Sequence, residues 1–280
     1  MMVITNVLAI GYRLITEQNR ILFMNNLVRR DKYVDGMAPQ FSWLYIHKSQ
    51  YALILVLCIA FCVVYRKMFR NMLTYLLSLG VLIFALYLSD SYTSMGAAAL
   101  IFVGQFLDYL RKAEWWKKLV AGVAMGVPGI IGCLKLYEMI GEKRDISSLG
   151  VRTLIWEKSL ELISENPNGL LDFIMGADRF TYAIHEKGWL HKAYNCHNIF
   201  LNHMFRFSLI VGGIFLALII LLCIFSLKRT PAFLSIGIWS AIFILWNMDY
   251  SMTCSETTLT LLLTFIIFFI PRKKHRPHLE

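Results

Sequence analysis

Residues 199–229 read IFLNHMFRFSLIVGGIFLALIILLCIFSLKR. From Phe207 to Leu227 no charged side chain interrupts the run, and Lys228-Arg229 close it. About 20 apolar residues in a helix cross the hydrocarbon core of a bilayer, where a helix satisfies its own backbone polar groups. Read as Ile199–Leu227, the stretch predicts a membrane span with a basic stop at one end. Arg206 lies about two turns inside it, and a cation there needs an explanation.

The rest of the chain has the same character. Of 280 residues, 58% are hydrophobic and 16% charged, against roughly 45–50% and about 25% in soluble domains. A soluble enzyme and a disordered tail are excluded, and an integral membrane protein is implied. Six further runs fit spans: Lys48–Tyr65, Asn71–Leu88, Ser94–Leu110, Leu119–Ile140, Ala232–Trp246 and Thr257–Ile270. The expected fold is all-α, with about seven transmembrane helices and one large extracytoplasmic loop containing short helices. The six Cys show no pairing pattern: Cys58, Cys62 and Cys223 sit inside apolar runs as small hydrophobes, while Cys133, Cys196 and Cys254 fall near segment ends on one side, where a disulfide between two of them stays open.

The formal net charge of +10 sets orientation. Arg66, Lys67 and Arg70 separate the first two spans, and Arg111, Lys112, Lys117 and Lys118 separate the third and fourth. Lys228 and Arg229 separate the fifth and sixth, and Arg272, Lys273, Lys274 and Arg276 follow the last. The intervening connections Ser89–Tyr92 and Asn247–Ser251 contain no Lys or Arg. By the positive-inside rule the basic connections are cytoplasmic. No nucleic-acid partner is expected, because the cations form no single stripe. The expected organisation is then an extracytoplasmic or re-entrant segment over 1–47, four spans over 48–140, an extracytoplasmic loop over 141–197, three spans over 198–271 and a basic cytoplasmic tail over 272–280.

The loop is where chemistry is expected, since connections of that length are uncommon without a function. It holds a helical stripe from Val151 to Ile163, with Ser148 as N-cap and Pro167-Asn168-Gly169 as terminator. Arg152 stands in the first turn, where its guanidinium and free backbone N–H groups can hold phosphate together. The alternative is a solvated or headgroup-facing Arg. The loop ends in Tyr194-Asn195-Cys196-His197-Asn198 at the mouth of the fifth span. His197 can act there as a titrating base, with Asn198 orienting it or binding a hydroxyl. The alternative is an interfacial anchor. His185, His191 and His203 are read as ordinary packing or surface residues. No acidic cluster has metal-ligand spacing, so neither metal nor cofactor is expected.

Taken together, these residues resemble the O-antigen ligase and polymerase family of bacterial surface-polysaccharide enzymes. The likeness rests on Arg152 with Trp156, on Asn166-Pro167 and Gly176, on His197-Asn198-Ile199-Phe200-Leu201, and on Gly212-Gly213 in the next span. Upstream, Tyr45-Ile46-His47-Lys48-Ser49 is similar to the His-Lys-Asn stretch of the family, with Ser49 replacing Asn. Many members carry Ser-Arg at the outer end of the span equivalent to the third; Met95 stands at the Arg position here. The resemblance implies that another cation, such as Arg179 or Lys48, takes over phosphate binding. Members tend to have ten or more spans, which implies that N-terminal spans precede this chain.

The resemblance further implies a glycosyltransferase of the bacterial cytoplasmic (inner) membrane, multi-pass, with its active site on the extracytoplasmic side. The donor would be an undecaprenyl-diphosphate-linked glycan, and the product O-antigen, capsule or exopolysaccharide. Transfer would be inverting and metal-independent, without a cofactor. Arg152 would meet the charge of the leaving diphosphate, and His197 would take the proton of the acceptor hydroxyl. Asn198, Trp156, Arg179, Arg206, His47 and Lys48 would bind substrate. The lipid bilayer, a flippase and a chain-length regulator are the implied partners. Two alternatives stand beside polymerisation: a ligase transferring glycan to a lipid A core, and a polysaccharide transporter or flippase. Transporters bury ionisable groups near midplane, and Arg206 is the residue that favours that reading.

Overall fold

A computed structural model describes residues 2–16, 48–118, 120, 122, 152–165, 168–175, 198–248 and 254–269. Among the described residues every regular element is helical and no strand occurs, as the sequence predicts. Two helices are long and apolar enough to cross a membrane, Tyr92–Lys112 and Leu209–Leu227. Val3–Thr16, Ser49–Val64, Met72–Leu88, Ala232–Asn247 and Thr260–Phe269 are equally apolar in kind but shorter, at 10–17 residues. At about 1.5 Å per residue, 17 residues reach only about 25 Å, short of the roughly 30 Å hydrocarbon core. The expected span over Leu119–Ile140 lies almost wholly outside the described residues.

The chain divides into two compact units. The first comprises Met1–Ala98, Ile224–Pro231 and Thr253–Glu280. It contains α1 (Met2–Thr16), α2 (Lys48–Val64), α3 (Met72–Leu88), the opening of α4 (Tyr92–Lys112) and the last helix, Cys254–Phe269. Helix α2 is apolar on all sides and becomes the centre of this unit, packed by α3 and by the last helix, with α1 on α3. Tyr51, Leu55, Leu57 and Ile59 of α2 are fully buried, with Leu82 and Leu86 of α3.

Polar groups inside this unit are matched in pairs. The Tyr51 hydroxyl donates to the side-chain oxygen of buried Asn6, and the Tyr65 hydroxyl donates to the Ile266 carbonyl at 2.9 Å. Asn71 opens α3 with a reciprocal capping box to Thr74. The turn into α4 passes through Asp90 at φ 51°, a left-handed position that Asp tolerates better than most residues.

The second unit comprises Ala99–Cys223 and Ala232–Met252. It holds most of α4, then α5 (Arg152–Glu165), α6 (Gly169–Met175), α7 (Ile199–Arg206), most of α8 (Leu209–Leu227) and α9 (Ala232–Met248). The last helix of the chain, Cys254–Phe269, is therefore α10. Helices α4 and α9 cross with backbones in contact. A Cβ on Gly104 would run into the Phe233 carbonyl, and one on Gly237 into the Leu100 carbonyl. Small residues at such crossings let two apolar helices approach where no water drives them together.

Asp108 completes the crossing. Its carboxylate is almost fully buried, and Oδ2 accepts from the Leu234 backbone N–H at 2.7 Å, in the first turn of α9. Oδ1 takes no hydrogen bond among the described residues and is met by the Arg111 guanidinium at 4.0 Å. Pro231 precedes α9 and has no side-chain acceptor, so α9 borrows its cap from α4.

The fifth expected span is corrected in one respect. Ile199–Leu227 is two helices rather than one, because the chain breaks at Phe207-Ser208. The buried Ser208 hydroxyl accepts from Val211 N at 3.0 Å and restarts the helix. Gly212 then permits a close approach, since a Cβ there would meet Met204 of α7. Arg206 is consequently the last residue of α7, an end where the helix dipole favours a cation, and not an Arg two turns inside a continuous span.

Replacing Asp108 by Ala leaves the Leu234 N–H buried without an acceptor, which costs about 1–3 kcal/mol. Asp108→Asn keeps a side-chain oxygen and is expected to cost less. Thermal unfolding of the detergent-purified protein checks the order; equal stability of Asp108→Ala and the parent would contradict the capping role.

Candidate functional site

Helix α5 places Arg152 and Trp156 four residues apart, on one face. Trp156 is half-buried. Helix α5 ends at Glu165, ahead of the expected terminator Pro167-Asn168-Gly169, and the last residue of that stretch starts another helix. Gly169 opens α6, and a Cβ there would strike the Ile163 carbonyl. Only glycine allows so tight a reversal, so α5 and α6 form a packed hairpin. Helix α6 also packs against α7. The element that carries Arg152 and Trp156 is thus joined, through α6, to the element that begins directly after His197.

Asn198 is the N-cap of α7. Its backbone is extended, at φ −145° and ψ 117°, and its side-chain oxygen accepts from Phe200 N and Leu201 N at 3.0 Å each. Ile199 beside it is buried. The carboxamide oxygen is therefore committed to the helix, and Nδ2 is the end of the side chain left for chemistry. The cap also anchors the chain at the residue following His197.

Below the cap lies an aromatic wall. The Phe200 ring centroid is 5.9 Å from Phe215, 6.0 Å from Phe243 and 6.5 Å from Trp246. His203 stacks on Phe215 at 4.5 Å and 7°. Its Nδ1 lies 2.7 Å from the Ile199 carbonyl. A carbonyl only accepts, so Nδ1 is the donor in this contact. These contacts account for His203 as a packing residue, as the sequence reading has it. Trp246 is 2% exposed, and its indole N–H has no hydrogen-bond partner among the described residues.

The expected site residues divide as follows. Asn198 and Trp156 are described with their side chains. Arg152 begins α5, Lys48 begins α2 and Arg206 ends α7, each with its side chain outside the described set. His197, His47 and Arg179 lie outside the described residues. Lys48 belongs to the first unit, whereas Arg152, Trp156, Asn198 and Arg206 belong to the second. Sequence reasoning missed the aromatic wall. Phe200 with His203, and Phe243 with Trp246, are three apart on their helices, and that spacing is the signal that marks a shared face.

Compared with protein-family profiles, curated proteins and solved structures, the chain matches none.

The cap separates structure from chemistry at Asn198. Asn198→Ala is expected to destabilise by about 0.5–2 kcal/mol, and Asn198→Asp to retain the parent stability because Asp caps equally well. Thermal unfolding of both variants checks this; an Asp variant as unstable as the Ala variant would refute the capping role.

Proposed function

We propose that the chain is a membrane glycosyltransferase that polymerises polyprenyl-diphosphate-linked oligosaccharides into surface polysaccharide. In this reading about seven helices cross the bacterial cytoplasmic membrane, the shorter ones at thinned or interfacial positions. The α5–α6 hairpin and the mouth of α7 face the extracytoplasmic side. The observation that supports the reading best is the packing of α6 on both α5 and α7. Two stretches that the resemblance singles out, separated by a long connection, thereby belong to one compact unit.

The chemistry follows from the residue types. An acceptor sugar hydroxyl attacks the anomeric carbon of the donor glycan. The bond from that carbon to the diphosphate oxygen breaks, and its electron pair leaves with the polyprenyl diphosphate. Attack from the opposite face inverts the anomeric centre. His197 takes the hydroxyl proton, a role that suits an imidazole because its ordinary pKa lies near neutral pH. Arg152, at the start of α5, meets the charge developing on the leaving diphosphate; a planar guanidinium fork suits phosphate oxygens better than an ammonium does. Trp156 offers a ring for the sugar. Asn198 Nδ2 can donate to a hydroxyl while its oxygen holds the helix.

Arg152→Ala and His197→Ala are each expected to lower polymerisation on the order of a hundredfold or more, with protein level unchanged. Glycan chain length in a strain lacking the native gene is the readout. Long-chain glycan of normal length in both variants would refute the proposal. Lipid-linked polymer that accumulates unattached would instead assign the site to a ligase. Glycan transport into proteoliposomes without chain elongation would assign the chain to transport.

A further inference from the structure

Helix α4 is one of the two helices long and apolar enough to cross a membrane, and it ends at Lys112. The chain turns at Ala113, whose N–H donates to the Leu110 carbonyl at 3.0 Å, and becomes helical again from Trp115. Four cations lie within eight residues: Arg111, Lys112, Lys117 and Lys118, all exposed. Trp115 is 76% exposed and Trp116 49%.

The two indoles are held differently. The Trp116 N–H donates to Glu114 Oε2 at 2.7 Å, and Lys117 lies 3.2 Å from the same oxygen and 5.1 Å above the Trp116 ring. Glu114, Trp116 and Lys117 therefore make a preassembled cluster in which Glu114, the one carboxylate of residues 111–118, is already paired. Lys112 and Lys118 supply positive charge on either side of it, and Trp115 projects outward.

We propose that residues 111–118 form a binding site for anionic phospholipid, with Lys112, Lys117 and Lys118 on the headgroup phosphate and Trp115 inserted at the carbonyl level of the bilayer. Position and charge complementarity both favour lipid. A patch that directly follows a candidate span stands at headgroup depth, where Trp is favoured because one end of the ring is apolar and the other polar. Cations at that depth attract an anionic leaflet. A nucleic acid would need a longer basic stripe, and an acidic protein would leave Trp115 without apolar cover. The inference goes beyond general contact with a bilayer by naming the headgroup chemistry. It shares the membrane placement proposed above but needs neither Arg152 nor His197.

The test uses the full chain purified in detergent, with bound lipid counted by native mass spectrometry during titration with phosphatidylglycerol or phosphatidylcholine. The parent is expected to retain phosphatidylglycerol several-fold better, and added salt to erode that preference. The triple variant Lys112→Gln/Lys117→Gln/Lys118→Gln should lose the preference, retaining phosphatidylglycerol no better than phosphatidylcholine. Trp115→Ala should weaken phosphatidylglycerol retention several-fold without altering the thermal unfolding temperature. Arg66→Gln/Lys67→Gln/Arg70→Gln, which neutralises a different basic connection, should leave the preference intact. No preference in the parent, a preference that survives the triple variant, or retention unaffected by Trp115→Ala would each overturn the proposal. Loss of glycan polymerisation in Arg152→Ala with intact lipid preference, or the converse, separates this inference from the enzymatic one.

Discussion

A helix in apolar surroundings leaves the N–H groups of its first turn without partners, and no water is present to supply them. In this chain side chains fill the gap at several helix starts. Asn71 caps α3, Asn198 caps α7, Ser208 caps α8, and Asp108 reaches from α4 to cap α9. These contacts fix where each apolar helix begins. They also fix the break between α7 and α8 and the start of α7 at the residue following His197. The remaining packing is of the ordinary apolar kind, with close backbone crossings where Gly104 and Gly237 permit them.

The same constraint explains what could be read from the chain directly. Apolar runs bounded by charge gave boundaries within two residues for α2, α3, α4 and α9, since Lys48, Asn71, Lys112 and Pro231 each mark a physical change at a helix end. The α5 helix was legible from its stripe and its Pro-Asn-Gly end. Two features were not. The interruption at Phe207-Ser208 is hidden, because hydropathy averages across a single serine that sits within an apolar run. The Asp108 cap is hidden as well, because its partner Leu234 lies 126 residues away. Only the folded chain brings the two together.

Of the candidate site, the residues could be picked out in the chain but their surroundings could not. Arg152, Trp156 and Asn198 fall on elements of one compact unit, and the α6 bridge between α5 and α7 gives the association a structural basis. The role of Asn198 changed in detail: its oxygen is a helix cap, which limits what it can offer a substrate. The aromatic wall of Phe200, Phe215, Phe243 and Trp246 was invisible as a unit, since it draws on three helices. Arg206 moved from a residue inside one continuous span to a cation at a helix end.

For the proposed chemistry, the α5–α6 hairpin and the Asn198 end of α7 must face the compartment beyond the bilayer, on the other side from residues 111–118. Cysteine substitutions at exposed positions, Thr153→Cys and Asn168→Cys on the hairpin and Lys118→Cys on the basic side, can be compared in a cysteine-free background. With a membrane-impermeant maleimide on intact cells, the account predicts labelling at 153 and 168, and labelling at 118 only after permeabilisation. Labelling at 118 in intact cells, with 153 and 168 protected until the membrane is opened, would contradict it.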